Sequence, residues 1–224
     1  MVPDSKTFKT RTLTAIVFVI VMLLGLFLNQ WSFIILFTII HFGCWYEFIK
    51  LIKKIYPGSF KLRSLVGLIY ISLPVALLIY MRVRTGLFIN DNLLLVIPCG
   101  IIFSIWINDT MAYIVGSFIG KTPLSKISPK KTWEGTIGGA MLCIGVITFI
   151  GYIARFYHYN NWIIIASCCA FFGTLGDLLE SKIKRMAKVK DSGSIMPGHG
   201  GFLDRFDSLL IATPFVACYY LFFM

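Results

Sequence analysis

The chain has 224 residues, of which 58% are hydrophobic and only 14% charged, with a formal net charge of +11. A soluble globular domain carries roughly 45–50% apolar and about 25% charged residues, so this composition excludes one and points to an integral membrane protein. Every polar segment is short enough to be a loop between spans, which leaves no room for a separate soluble domain.

A hydrocarbon core about 30 Å thick needs roughly 20 apolar residues in a helix. Seven runs meet that need, at about 12–28, 31–49, 65–81, 93–119, 135–154, 161–181 and 205–223. The first follows a basic flank, as a signal peptide would. No convincing small-x-small cleavage site follows it, so it reads as a retained span, with a signal peptide as the alternative. The fourth is long and interrupted by Pro98, Asn108 and Asp109, and so is one kinked span or two half-spans. Backbone in lipid must satisfy its own hydrogen bonds, and only helices suit runs of this kind. The expected fold is an all-α, polytopic membrane protein of about seven transmembrane helices, within six to eight.

Loop charge tests that count. The N-terminus carries Lys6, Lys9 and Arg11, and the loop after span two carries Lys50, Lys53, Lys54, Lys61 and Arg63. The loop after span four adds Lys121, Lys126, Lys130 and Lys131, and the one after span six adds Lys182, Lys184, Arg185, Lys188, Lys190 and Arg205. Only Arg82, Arg84 and Arg155 of the 21 Lys and Arg residues fall on the other side. Positive loops stay inside, so the N-terminus and these loops are expected in the cytoplasm and the C-terminus outside, in the cell (inner) membrane. The basic charge therefore needs no nucleic acid to explain it. Six cysteines lie in apolar runs with no CxxC pair and no metal spacing, and read as small buried hydrophobes.

Charged groups within spans are costly and usually functional. Asp109 falls in or beside span four; Asp177 and Glu180 lie near the end of span six; Asp204 and Asp207 open span seven. The spacing of three puts each pair on one helical face. With spans four and six ending where span seven begins, all five carboxylates converge at one depth. A hard divalent cation with oxygen ligands suits such a group, and the surrounding lysines and arginines suit phosphates. The glycines of PGHGGF allow close backbone approach. Metal, basic clamp and Gly-rich turn together suggest phosphoryl or nucleotidyl transfer. The plainer reading pairs Asp177 and Glu180 with Lys182, Lys184 or Arg185, and makes Asp204 the charge of a capped helix start. Gly116, Gly120, Gly135 and Gly139 have small-xxx-small spacing, which lets helices pack closely within a subunit or across a homodimer.

The segment SKIKRMAKVKDSGSIMPGHGGFLDRFD (181–207) resembles the signature of the phosphatidate cytidylyltransferase family, also called CDP-diacylglycerol synthases. Ser181, Lys184, Arg185, Lys190, Asp191, Gly193, His199, Gly200, Gly201, Asp204, Arg205 and Asp207 all fall in its places. A second block, NDTMAYIVGSFIGKTPLSKISPKKTWEG (108–135), is similar too, and Glu47-Phe48 also looks family-like. The resemblance implies transfer of a cytidylyl group from CTP to phosphatidate, giving CDP-diacylglycerol and diphosphate, with Mg2+ and a second cation such as K+. It implies Asp177, Asp204 and Asp207 as metal ligands, with Lys184 and Arg205 completing the catalytic set. Lys130, Lys131, Arg185, Lys190, His199, Gly200, Gly201 and Asp109 would bind substrate. The expected organisation is one membrane-embedded catalytic domain over 1–224, with 1–90 supplying peripheral spans and 91–224 the catalytic half. A CTP-dependent polyprenol kinase is the alternative enzyme, and a transporter using midspan acids is the alternative outside enzymes.

Overall fold

The computed structural model describes residues 5–83, 91–155, 157–196 and 200–224. His199 and Arg84 lie outside the described residues. Among those described, regular structure is helical, with two isolated bridges at Pro123–Thr132 and Met196–Gly200. Six stretches are long and apolar enough to cross a membrane: Gln30–Ile55, Phe60–Val83, Leu95–Ile119, Trp133–Ala154, Tyr159–Met186 and Leu203–Phe223. A shorter apolar helix, Thr12–Phe27, accounts for the remaining run expected from the sequence. Large apolar side chains such as Phe118 and Phe149 stand exposed on these helices, as lipid-facing residues do and a soluble surface rarely would. The protein is therefore a polytopic all-α membrane protein.

The chain forms two compact units. The first comprises Met1–Val75 and Ile183–Phe206. It opens with a helical hairpin, α1 (Ser5–Phe27) and α2 (Gln30–Ile55). Asn29 caps α2 reciprocally: its Oδ1 accepts from Ser32 N at 2.8 Å, and Ser32 Oγ accepts from Asn29 N at 3.1 Å. Those bonds serve orphan donors where the hairpin turns. The third run is not one regular helix. A short helix, α3 (Phe60–Ser64), precedes it, and the run itself is a π-helical turn (Leu68–Ser72) followed by α4 (Leu73–Val83). Ser72, at the end of the π turn, accepts from Trp45 Nε1 at 2.9 Å and lies 2.9 Å from His41 Nε2. A hydropathy pattern carries no signal for such a break.

The second unit comprises Ala76–Lys182 and Asp207–Met224. The interrupted fourth run is a single helix, α5 (Asp91–Ile119), which continues through Pro98. It lies against α6 (Trp133–Ala154), and small residues on the two helices meet within the chain. A Cβ on Gly139 would stand 2.6 Å from Ala112 N, nearer than real atoms approach. Gly139→Val is accordingly expected to force α5 and α6 apart and cost about 1–3 kcal/mol, seen as a lower unfolding midpoint in detergent. The unit is completed by α7 (Tyr159–Met186) and α8 (Leu203–Phe223), each of which passes between units. Within this unit Phe172 and Phe215 stack at 3.5 Å, and Tyr219 donates to Asn161 Oδ1 at 2.8 Å.

Candidate active site

In the second unit, the buried stripe of α7 runs through Gly173, Gly176 and Glu180. A Cβ on Gly176 would lie 2.5 Å from Asp207 O, so only glycine lets the first turns of α8 pass this close. The crossing brings Asp177, Glu180 and Asp207 together, with one carboxylate oxygen from each within 4.8 Å of the others. Glu180 and Asp207 are buried and Asp177 is partly so. Ser181 Oγ donates to Asp177 Oδ1 at 3.3 Å. Like charges this close and this dry repel strongly, and hard oxygen donors suit a divalent cation such as magnesium.

The loop between α5 and α6 supplies the opposing charge. Leu124 N donates to Lys131 O at 2.7 Å and Trp133 N to Thr122 O at 3.0 Å, which folds 122–133 back on itself. Its base is tied to the start of α6. Thr132 Oγ1 accepts from Gly135 N at 3.1 Å, and Glu134 Oε2 accepts from Lys121 N at 3.2 Å and Thr122 N at 3.1 Å. So held, Lys131 forms an ion pair with Asp177. Burial lowers the pKa of Lys131, and the charges of Asp109 and Asp207 pull it back up. Lys130, the neighbouring residue, is exposed, as is Asp109.

The first unit holds the other half of the signature. Lys188 takes φ 55°, and the chain beyond it closes on the Met196–Gly200 bridge, where Gly200 takes φ 86°. Asp204 organises this turn. Its Oδ2 accepts from Ser192 N at 2.8 Å, Ser192 Oγ at 2.9 Å and Gly201 N at 2.8 Å. Its Oδ1 accepts from Lys184 Nζ at 2.6 Å. Binding by Asp204 to a cation would require exchange of Lys184 for that cation. Arg185, Lys190 and Arg205 are exposed.

Beneath the turn sits a residue without an assigned role in the sequence. Glu47, fully buried on α2, accepts from Ser192 Oγ at 2.7 Å, Phe202 N at 3.0 Å and Leu203 N at 2.9 Å. It thus serves orphan donors at the start of α8 from 155 residues away. A Cβ on Gly201 would collide with its carboxylate. The available signals were an acid near the end of an apolar span and the family-like Glu47-Phe48 pair, and neither says what Glu47 binds. Glu180 was visible as the partner of Asp177 on one helical face, yet its place beside Asp207 depends on the α7–α8 crossing. The plainer pairings are resolved individually: Asp177 pairs with Lys131 of a distant loop, whereas Asp204 does take a capping hydrogen bond from Gly201.

A helical membrane protein with a buried carboxylate cluster, a lysine held against it and a second lysine paired to the aspartate that ties a glycine-bearing turn is the class these features define. The chain belongs to the cytidylyltransferase family, whose model matches residues 59–223. It is 41% identical over 158 residues to a phosphatidate cytidylyltransferase of Rickettsia bellii, covering 67% of this chain and 65% of that protein. It is 46% identical over 114 residues to the Bacillus subtilis protein of that name, covering 50% and 42%. A Rickettsia conorii protein of the same name is 34% identical over 211 residues, covering 91% and 86%.

Proposed function

We propose that this protein is a phosphatidate cytidylyltransferase, converting CTP and phosphatidate to CDP-diacylglycerol and diphosphate. The observation that carries the reading is the Asp177–Glu180–Asp207 cluster with Lys131 paired to it, in a chain of this family. A phosphatidate oxygen attacks the α-phosphorus of CTP; the new P–O bond forms as the bond to the β-phosphate bridge breaks, and diphosphate leaves. The lipid phosphate is a monoester with a second pKa of about 6, so it arrives ionised and needs no strong general base. The difficulty is repulsion between two anions, and the residues answer that difficulty.

Asp177, Glu180 and Asp207 would hold Mg2+; Asp204 would take a second cation such as K+ only by releasing Lys184. When bound, magnesium would neutralise phosphate charge as the leaving group departs. Lys131 would keep the phosphates beside the carboxylates, and Lys130 and Asp109 would contact the nucleotide. Lys184, in place by way of Asp204, would bind a substrate phosphate, joined by Arg185, Lys190 and Arg205. The backbone of Gly200 and Gly201 would approach a phosphate closely, and His199 would complete that wall.

The chain is read as one catalytic domain over 1–224, with 91–224 as its catalytic half, supported by a family match that runs through both units. The distribution of Lys and Arg supports a cytoplasmic N-terminus and cytoplasmic active-site loops, in the cell membrane. CTP would then arrive from the cytoplasm and phosphatidate sideways from the inner leaflet. Supplying CTP labelled at either the α- or the γ-phosphate tests the reaction type. The expected result is α-label in phosphatidate-derived lipid and γ-label in diphosphate. γ-Label transferred to a polyprenol, with CDP released, would instead make the protein a kinase.

A further inference from the structure

In the first unit an apolar groove of about 430 Å³ runs between α1 and α2, within the roughly 300–1,000 Å³ usual for small-ligand sites. Leu13, Val17 and Val21 line it from one face of α1, and Leu36 and Ile39 from one face of α2. Its floor is dry: Met22, Ile40 and Phe206 are buried. Val21 and Ile39 are about half exposed, so the groove is open along its rim. The side chain of Thr14 brings the one hydroxyl to its wall, so what fits is hydrocarbon and not a headgroup.

The two ends differ. At one end Gly25 lies against Leu36, so closely that a Cβ there would overlap the leucine, and the helices shut the groove. At the other end the wall is Ile195, Met196 and Phe202. These belong to the turn that Glu47 and Asp204 hold and that Lys184 borders: Phe202 follows Gly201, and its own N–H is bound by Glu47. A blind apolar channel thus begins at a turn against which Asp204 holds Lys184 of α7. From Leu13 to Met22 it follows about 13 Å of helix at 1.5 Å per residue.

We propose that this groove holds one acyl chain of the phosphatidate substrate, with Val21 and Ile39 setting how much chain it accepts. This rests on the cytidylyltransferase reading and adds to it a means of selecting lipid. A chain seated with its terminal methyl toward Gly25 presents its glycerophosphate at the turn beside Lys184. The bilayer supplies many hydrocarbon chains; the turn at the mouth selects those that end in a phosphate monoester.

The test uses the full chain, purified, with Val21→Trp and Ile39→Trp chosen on opposite walls so that one misfolding variant does not remove the experiment. Each is compared with wild type on dioleoyl and on dihexanoyl phosphatidate. Because displaced methylenes are worth about 0.8 kcal/mol each, KM for the dioleoyl lipid should rise at least about tenfold, while KM for the short lipid should change less than about twofold. Equal changes for both lipids, or none for either, would overturn the proposal. Photolabelling with phosphatidate carrying a mid-chain diazirine gives a second readout, independent of turnover. Label on residues 12–40, competed by phosphatidate and not by phosphatidylcholine, supports the groove. Label competed equally by both lipids marks a bulk-lipid crevice and contradicts it, as does label elsewhere alone. Wild-type protein that turns over neither lipid defeats the cytidylyltransferase reading instead, and the photolabelling then decides the groove by itself.

Discussion

Asp207→Asn is expected to lose roughly 100- to 1,000-fold in cytidylyl transfer, the usual effect of removing one preorganised electrostatic group from an active site. The substitution is isosteric, so the packing of α8 on α7 at Gly176 should survive and the unfolding midpoint should stay near that of wild type. Asp207 is buried beside Glu180 and Asp177, and an amide there supplies one charge fewer to a cation. The magnesium concentration for half-maximal rate should therefore rise as the rate falls. Measuring initial rate against magnesium for both proteins checks this. A variant within about threefold of wild type at saturating magnesium would be incompatible with the electrostatic role assigned to this carboxylate.

Glu47→Gln should act through the fold first and the rate second. Three donors converge on the Glu47 carboxylate, at 2.7, 3.0 and 2.9 Å, in a site closed to water. An amide keeps one acceptor and turns an NH2 toward groups that also donate. Hydrogen bonds to a charged buried acceptor are worth about 1.5–3 kcal/mol each, and stranded donors add to the loss, so roughly 3–5 kcal/mol of stability should go. The turn at 200–204 would loosen with it, and Lys184 and Asp204 would lose their fixed register. Thermal unfolding in detergent and the KM for phosphatidate, measured together, are the check. A Glu47→Gln protein as stable and as active as wild type would mean that this carboxylate does not hold the turn.

Most of the architecture was legible because lipid imposes it. A span needs a run of apolar residues, and seven were readable by length alone. The break at the π turn was not, since Leu68–Ser72 is as apolar as the helix after it. Of the two alternatives for the fourth run, one span and not two half-spans forms, for a related reason: a proline removes one backbone bond but need not end a helix whose neighbours support it. The site was legible where it is local. Spacing of three placed Asp177 with Glu180, and Asp204 with Asp207, on shared faces. What could not be read was which members meet across helices. Asp207 joins Asp177 and Glu180 because Gly176 lets α8 approach, whereas Asp204, one turn earlier, is taken up by Lys184, Ser192 and Gly201. Glu47 depends on contacts across 145 to 156 residues, and no spacing rule reaches that far.

The most direct measurement is the lipid product itself. Purified protein in liposomes containing phosphatidate is given CTP, with magnesium or with a chelator, and the lipids and diphosphate are quantified by mass spectrometry and enzymatic assay. CDP-diacylglycerol should appear one for one with diphosphate, only when CTP, phosphatidate and magnesium are all present. Folded protein that yields no CDP-diacylglycerol under those conditions, or that makes it equally well in the chelator, would contradict the account.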